Sequence, residues 1–376
     1  MNKYLLTPGP VPVSTEVSLK EARPLIGHRG SEFSSLFSSI EAKLSRLLRS
    51  DGKTVIFPAS GTGALECLSV NFTGPDTKVI SVSCGVFGDR FREITALTGS
   101  NIIDVNVTPG EGVTPGVVAR AVDENPDASV LLLTQNETST GVFNHIDEII
   151  SVLPEKNRPL ILVDGVSSVG AMPCFPEAWG IDALATASQK GLLTPPGLGL
   201  VWLSERAWEI AENRKCNNYY FDLMRQKKVL YKEAPENPYT PPVTLYYALN
   251  AALDEILTSD WFDQRRRAAR ALAAGIEALG FELLVKEEKF RSPGVTAFSL
   301  KSGDTSAIAK SLKSMGVEPA GGQGKFKGKL IRMSHYHDFR WPEISLALGS
   351  LYAALGNARN NAGDFMAAAL KRWEEQ

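Results

Sequence analysis

Cysteine and histidine are scarce in this chain, at four residues each among 376. Cys67, Cys84, Cys174 and Cys216 form no C-x-x-C spacing, which removes the usual zinc and dithiol motifs and fits a reducing compartment. His335 and His337 stand one residue apart, and strand alternation would set both on one face. No third and fourth ligands follow at supporting spacing, so no metal is expected. Long apolar runs are missing as well. No stretch approaches the ~20 residues of a membrane span, and the apolar part of the opening MNKYLLTPGPVPVS is too short for a signal peptide. Charge of one sign is lacking: 40 basic residues meet 42 acidic ones, which argues against a nucleic-acid partner. The densest basic run, Arg265-Arg266-Arg267, reads as the solvated face of a helix. The expectation from these absences is a cytoplasmic protein.

What is present is an ordinary globular composition, 43% hydrophobic and 22% charged, long enough for two domains. Residues 5–14 are rich in Pro and Gly and read as an extended arm. Phe33, Leu36, Phe37, Ile40, Leu44 and Leu47 recur at helical steps over 31–48. Short apolar runs at 54–57, 79–83, 130–134, 160–163, 183–187 and 198–203 alternate with helical patterns at 63–72, 89–97 and 146–153. That alternation predicts a mostly parallel sheet covered on both faces. The gap between Ala187 and Leu198 is too short for a crossover helix, so one strand there should run antiparallel. Residues 205–242 read as irregular and 243–279 as one long helical stretch. Strand candidates at 281–285, 295–299 and 330–334, with helices at 305–315 and 342–355, suggest a smaller α/β domain. The expected division is an arm over 1–20, a large domain over 21–245 and a small one over 246–376.

Polar residues at strand ends are the candidates for chemistry, because open α/β sheets bind ligands there. Ser60-Gly61-Thr62-Gly63 lies between a strand and a helix, where small residues and free N–H groups can cradle an anion. The same segment is equally compatible with a plain turn, since Glu66 replaces the last glycine of a G-x-G-x-x-G. Asp164 ends a buried apolar run, where a carboxylate is unfavourable unless paired or functional. Lys190 follows another short strand. Desolvation there would lower its pKa and make it nucleophilic, although a lone lysine is ordinarily a surface residue. Arg332 alternates with Leu330 and Met333 and could offer a fork to a carboxylate or a salt bridge to a domain edge.

These residues, in this order, resemble the class V aminotransferases of fold type I, especially the alanine–glyoxylate and serine–pyruvate branch. The likeness covers nearly the whole chain. It rests on Thr7-Pro8-Gly9-Pro10, Gly27-His28-Arg29, Ser60-Gly61-Thr62-Gly63, Glu137-Thr138-Ser139-Thr140-Gly141, Val163-Asp164, Ser188-Gln189-Lys190 and Gly328-Lys329-Leu330-Ile331-Arg332. The resemblance implies pyridoxal 5′-phosphate bonded to Lys190, with Asp164 on the pyridine nitrogen and backbone groups of Ser60, Gly61 and Thr62 on the phosphate. It implies Phe87 stacked on the ring, Thr138 near the phenolic oxygen, and cofactor contacts from Ser168 and Gln189. It assigns Arg332 to the substrate carboxylate and Gly9, in the arm, to the border of the substrate pocket. Thr240 would reach the phosphate of a second subunit, which implies a homodimer with shared sites. The implied activity is ping-pong transamination between a small amino acid, alanine or serine, and glyoxylate or pyruvate. Transamination of 2-aminoethylphosphonate and a cysteine-desulfurase-like lyase are the alternatives. The chain departs from many relatives after the arginine, reading Arg332-Met333-Ser334-His335-Tyr336-His337 where they read Arg-Ile-Gly-His-Met-Gly, and Asn237 replaces an aromatic before Thr240.

Overall fold

The structure is a computed structural model describing residues 3–258, 260–300, 305–356 and 362–375. Its centre is a seven-stranded sheet with the spatial order Thr54–Pro58, Leu198–Leu203, Ala183–Ala187, Leu160–Asp164, Val130–Thr134, Lys78–Ser83 and Asn101–Asn106. The strand Leu198–Leu203 is antiparallel to both neighbours, and the other pairs are parallel. The short Ala187–Leu198 gap explains this, since a reversal needs few residues and a parallel return needs a crossover. Four of the central strands are buried at every position because helices cover both faces.

A second sheet has the order Tyr4–Leu6, Val317–Gly321, Ile331–Ser334, Val295–Leu300 and Phe281–Leu283. Each sheet has its own apolar core. The first core runs from Val11 to Trp261 and takes in Val285, Phe290, Val295 and Tyr336; the second joins Leu6 to residues between Ala268 and Ala369. The arm therefore begins as a strand of the second sheet, with Tyr4–Leu6 parallel to Val317–Pro319.

Several expectations are corrected. Residues 205–242 contain helices at Glu205–Asn213 and Leu223–Leu230, each started by a side-chain cap, Ser204 on the Ala207 N–H and Asp222 on the Met224 N–H. The stretch over 243–279 is two helices, Val243–Ile256 and Trp261–Ala278, separated where Thr258 and Asp260 break the apolar period. The arginine run is not wholly solvated. Arg265 is fully buried, with Nε donating to the Tyr336 carbonyl at 2.7 Å and Nη1 to that of Trp261 at 3.1 Å. Unforeseen elements include the helices Thr15–Glu21, Pro115–Asp123 and Ala362–Glu374 and the strands Asn101–Asn106 and Val317–Gly321. None of the described helices is long and apolar enough to cross a membrane.

Candidate active site

Parallel strands deliver their C-terminal ends to one edge of the sheet, and the chemistry gathers there. Asp164 is the last residue of its strand, and its Oδ1 accepts the Val166 N–H at 2.9 Å. Burial pushes its carboxyl up to about 7, against the pull of that bond and of Lys190. Lys190 lies three residues beyond the strand Ala183–Ala187. Its Nζ donates to the Pro8 carbonyl at 2.5 Å. Burial, then the charge of Arg332, brings the amine down to about 8, while Asp164 acts in the opposite direction.

The helix Gly61–Phe72 starts two residues earlier than its sequence pattern indicates, so Gly61 and Thr62 stand in its first turn with Ser60 as cap. The Ser60 Oγ accepts the Gly63 N–H at 3.4 Å. Residue 61 must be small: a Cβ there would lie 2.7 Å from Val166 Cγ1 and 3.2 Å from Ala187 Cβ. The first-turn N–H groups and the helix dipole favour an anion at this end.

Phe87 opens the helix Val86–Ala96. The buried carboxylate of Glu137 holds that opening by accepting the N–H groups of Phe87 at 2.9 Å and Gly88 at 3.0 Å. It also takes the N–H of Ser139 at 3.0 Å, tying two loops together. Burial raises the Glu137 pKa, and these bonds oppose the shift. The Lys190 Nζ is 6.0 Å from the centre of the Phe87 ring, and the Arg90 guanidinium is 4.9 Å from it.

Of the residues singled out from sequence, Gly9, Ser60, Gly61, Thr62, Phe87, Thr138, Asp164, Gln189 and Lys190 line one cavity of about 260 Å³. Larger cavities of about 650 and 1030 Å³ lie elsewhere and contain neither Lys190 nor Asp164, so chemistry rather than size selects the site. Three anticipated residues stand off the lining. Arg332 is buried behind Thr138, with Nη1 on the Thr138 carbonyl at 2.8 Å and Nε on that of Gly321 at 2.9 Å. Ser168 is buried with no partner for its hydroxyl, and Ser167 faces the cavity in its place. Thr240 is exposed, beside Tyr239 stacked on Tyr220 at 5.2 Å. Sequence reasoning missed Arg90, Asn136 and Ser167 in the lining. Asn136 had a signal, since it follows the strand Val130–Thr134 directly ahead of Glu137. His335 is buried and His337 half-buried, bonded to Thr296 Oγ1 at 3.1 Å and Tyr4 OH at 3.3 Å respectively, and desolvation brings them down to about 3 and about 4.

The family model for aminotransferase class-V matches residues 18–333. The chain belongs to this family. It is 36% identical to an uncharacterized aminotransferase of Methanocaldococcus jannaschii, over 94% of this chain and 93% of that one. Among solved structures it is similar to a ureidoglycine–glyoxylate aminotransferase from Bacillus subtilis, with a TM-score of 0.92 and 26% identity over 100% of this chain and 99% of the other. It is equally similar to a pyridoxamine–pyruvate aminotransferase from Mesorhizobium loti, with a TM-score of 0.93 and 27% identity over 99% and 97%. The chain is thus an aminotransferase, and its cofactor is pyridoxal 5′-phosphate. The cavity suits that group: it brings together an amine with a lowered pKa, one carboxyl, an aromatic wall and a helix N-terminus for a phosphate.

Proposed function

We propose that this aminotransferase moves an amino group between alanine or serine and a small 2-oxo acid, glyoxylate or pyruvate, as a cytoplasmic homodimer. The observation that carries the reading is the Lys190 amine and the Asp164 carboxyl in the wall of one small cavity. Pyridoxal phosphate supplies an aldehyde that captures amines and a ring that takes up the electron pair left on an α-carbon. In this assignment the first-turn N–H groups at Gly61 and Thr62, with Ser60, hold the phosphate, and Phe87 bounds the ring face. Among the described residues Asp164 is the one carboxyl in the lining, and it keeps a proton on the ring nitrogen. Thr138 and Gln189 complete the wall. Lys190 Nζ, brought down to about 8, takes the α-proton of a bound amino acid and returns it. The Pro8–Gly9 arm lies against that amine and shields it from water.

Arg332 is assigned to the substrate carboxylate. Nε and Nη1 are engaged by carbonyls, which leaves Nη2 to offer. Glyoxylate and pyruvate in the names of the two structural relatives support a small monocarboxylic acceptor. Thr240 is exposed in this chain and is assigned to the cofactor phosphate of a second copy. The unpaired cysteines suit a reducing compartment. The two cores support the division into domains, with the boundary moved to between Trp261 and Ala268. A screen of amino donors against glyoxylate, pyruvate and 2-oxoglutarate, with sedimentation to give the mass, tests the reading. Turnover restricted to 2-oxoglutarate, or a fully active monomer, overturns it.

A further inference from the structure

Asn136 lines the cavity, and both N–H groups of its side-chain amide are taken by neighbouring side chains. Nδ2 donates to Ser167 Oγ at 2.9 Å and to Tyr336 OH at 2.9 Å. The amide could be turned over only if Ser167 had a proton to give. It has none, because its hydroxyl donates to the Asn136 main-chain carbonyl at 2.7 Å. The amide orientation is therefore fixed, and Oδ1 is buried without a partner. An unmet buried acceptor is unfavourable, and its bonding capacity is what a bound molecule can use.

Tyr336 is itself held on two sides. Its ring is fully buried, and a Cβ on Gly294 would lie 2.3 Å from ring Cε1, so the glycine makes room for it. Its carbonyl accepts from Nε and Nη2 of Arg265, whose guanidinium lies over the Trp261 ring. Tyr336 falls in the segment where the sequence departs from the family pattern, and its hydroxyl reaches a residue 200 positions earlier in the chain.

We infer that Tyr336 is a positioning residue that fixes the Asn136 amide, leaving Oδ1 as a dedicated acceptor for an O–H or N–H donor on the molecule in the cavity. The donor is supplied by the amine or the hydroxyl of the amino acid. This rests on the proposed function, because it takes that cavity to be the site of transamination.

The test compares holoenzyme of wild type, Y336F, N136A and the double variant in two readouts. One is retention of pyridoxal phosphate on dilution, followed by absorbance; the other is KM for serine and for alanine. Y336F keeps the ring that packs on Gly294 and loses only the hydroxyl. It is expected to raise KM by about tenfold, the scale of one hydrogen bond. The double variant is expected to be no worse than N136A, since Tyr336 acts through the amide. Weaker cofactor retention with both KM values unchanged overturns the inference, because the ionised phenol of the cofactor has no proton for Oδ1. Unchanged retention with serine affected more than alanine assigns it to the substrate hydroxyl, and an equal rise in both KM values to the amine. No change in Y336F or in N136A, or effects that multiply in the double variant, overturns the inference. If Y336F fails to fold, S167A, which frees the amide from its other side, is measured in the same two readouts and judged by the same outcomes. A failure of this kind in an enzyme whose wild type transaminates removes the role of Tyr336 and leaves the proposed function standing.

Discussion

The Nζ of Lys190 donates to the Pro8 carbonyl at 2.5 Å, and a Cβ on the next residue, Gly9, would stand 2.3 Å from that same nitrogen. Gly9 also has φ +146°, which other residues rarely adopt. G9A is therefore expected to displace either the arm or the amine. Turnover should fall by about 100-fold, the usual effect of a misplacement near 1 Å. The accompanying backbone strain is about 1–3 kcal/mol, a small drop in Tm. Steady-state kinetics and a melting curve on the same preparation check both parts.

Replacement of Lys190 separates its chemical from its structural part. K190A should lower kcat by about 10⁴-fold or more, the upper end of general acid–base contributions. The fold should persist, because removing a buried amine relieves desolvation. Circular dichroism, melting and turnover measure this; substantial activity in K190A would exclude the assigned role.

Asp164 predicts a pH dependence of stability in the cofactor-free protein. Its carboxyl is raised from 3.8 to about 7 by burial. A raised acid binds its proton more tightly in the folded state. Its contribution is full below the unfolded value and is lost as pH rises through the folded one. D164N keeps a neutral side chain at every pH. The Tm of D164N minus that of wild type should therefore grow between about pH 4 and pH 7 and level off above, within the window set by that shift. A difference that is flat with pH would contradict the shift. In the loaded enzyme D164N should reduce kcat by about 10²–10⁴-fold.

Arg332 should act on every carboxylate substrate alike. R332A removes a charged hydrogen-bonding partner, typically about 1.5–3 kcal/mol, so KM should rise roughly 10- to 100-fold for donor and acceptor. R332K should recover little, because a lysine cannot hold the Thr138 and Gly321 carbonyls while also reaching a substrate. Measuring both half-reactions checks this. A change confined to one of them would give the second carboxylate to another group.

Much of the central sheet was legible because its strands are unbroken apolar runs, and the site because Ser60, Asp164 and Lys190 follow such runs. The rest depended on contacts that local pattern does not carry. Arg265 shares a helical stripe with Trp261, Ala268 and Leu272, so its inward position could have been read from spacing. Its acceptor, the Tyr336 carbonyl, lies 71 residues away and could not. Ser168 was implied by the resemblance alone; past Asp164 the chain turns, with the Ser168 N–H on the Gly165 carbonyl, and Ser167 is the serine that lines the cavity. The caps Ser204 and Asp222 stood in plain sight, but the polar run through Asn217 and Asn218 and the prolines from Pro235 onward hid the helices they begin. The strand Asn101–Asn106 was missed because it lies at a sheet edge, with no buried position to give it an apolar pattern.

Between Leu6, which packs in the second core, and Val11, whose N–H donates to the Gln189 carbonyl, the arm crosses from one body to the other. Deleting residues up to Val11 would thus do two unrelated things at once. It would leave Val317–Gly321 as a bare sheet edge with unpaired main-chain groups, open to pairing with other chains. It would also uncover the amine of Lys190. An inactive, sticky truncation would therefore say nothing about catalysis by itself. The two faults can be told apart only by comparing it with a full-length chain in which Gly9 alone has been changed.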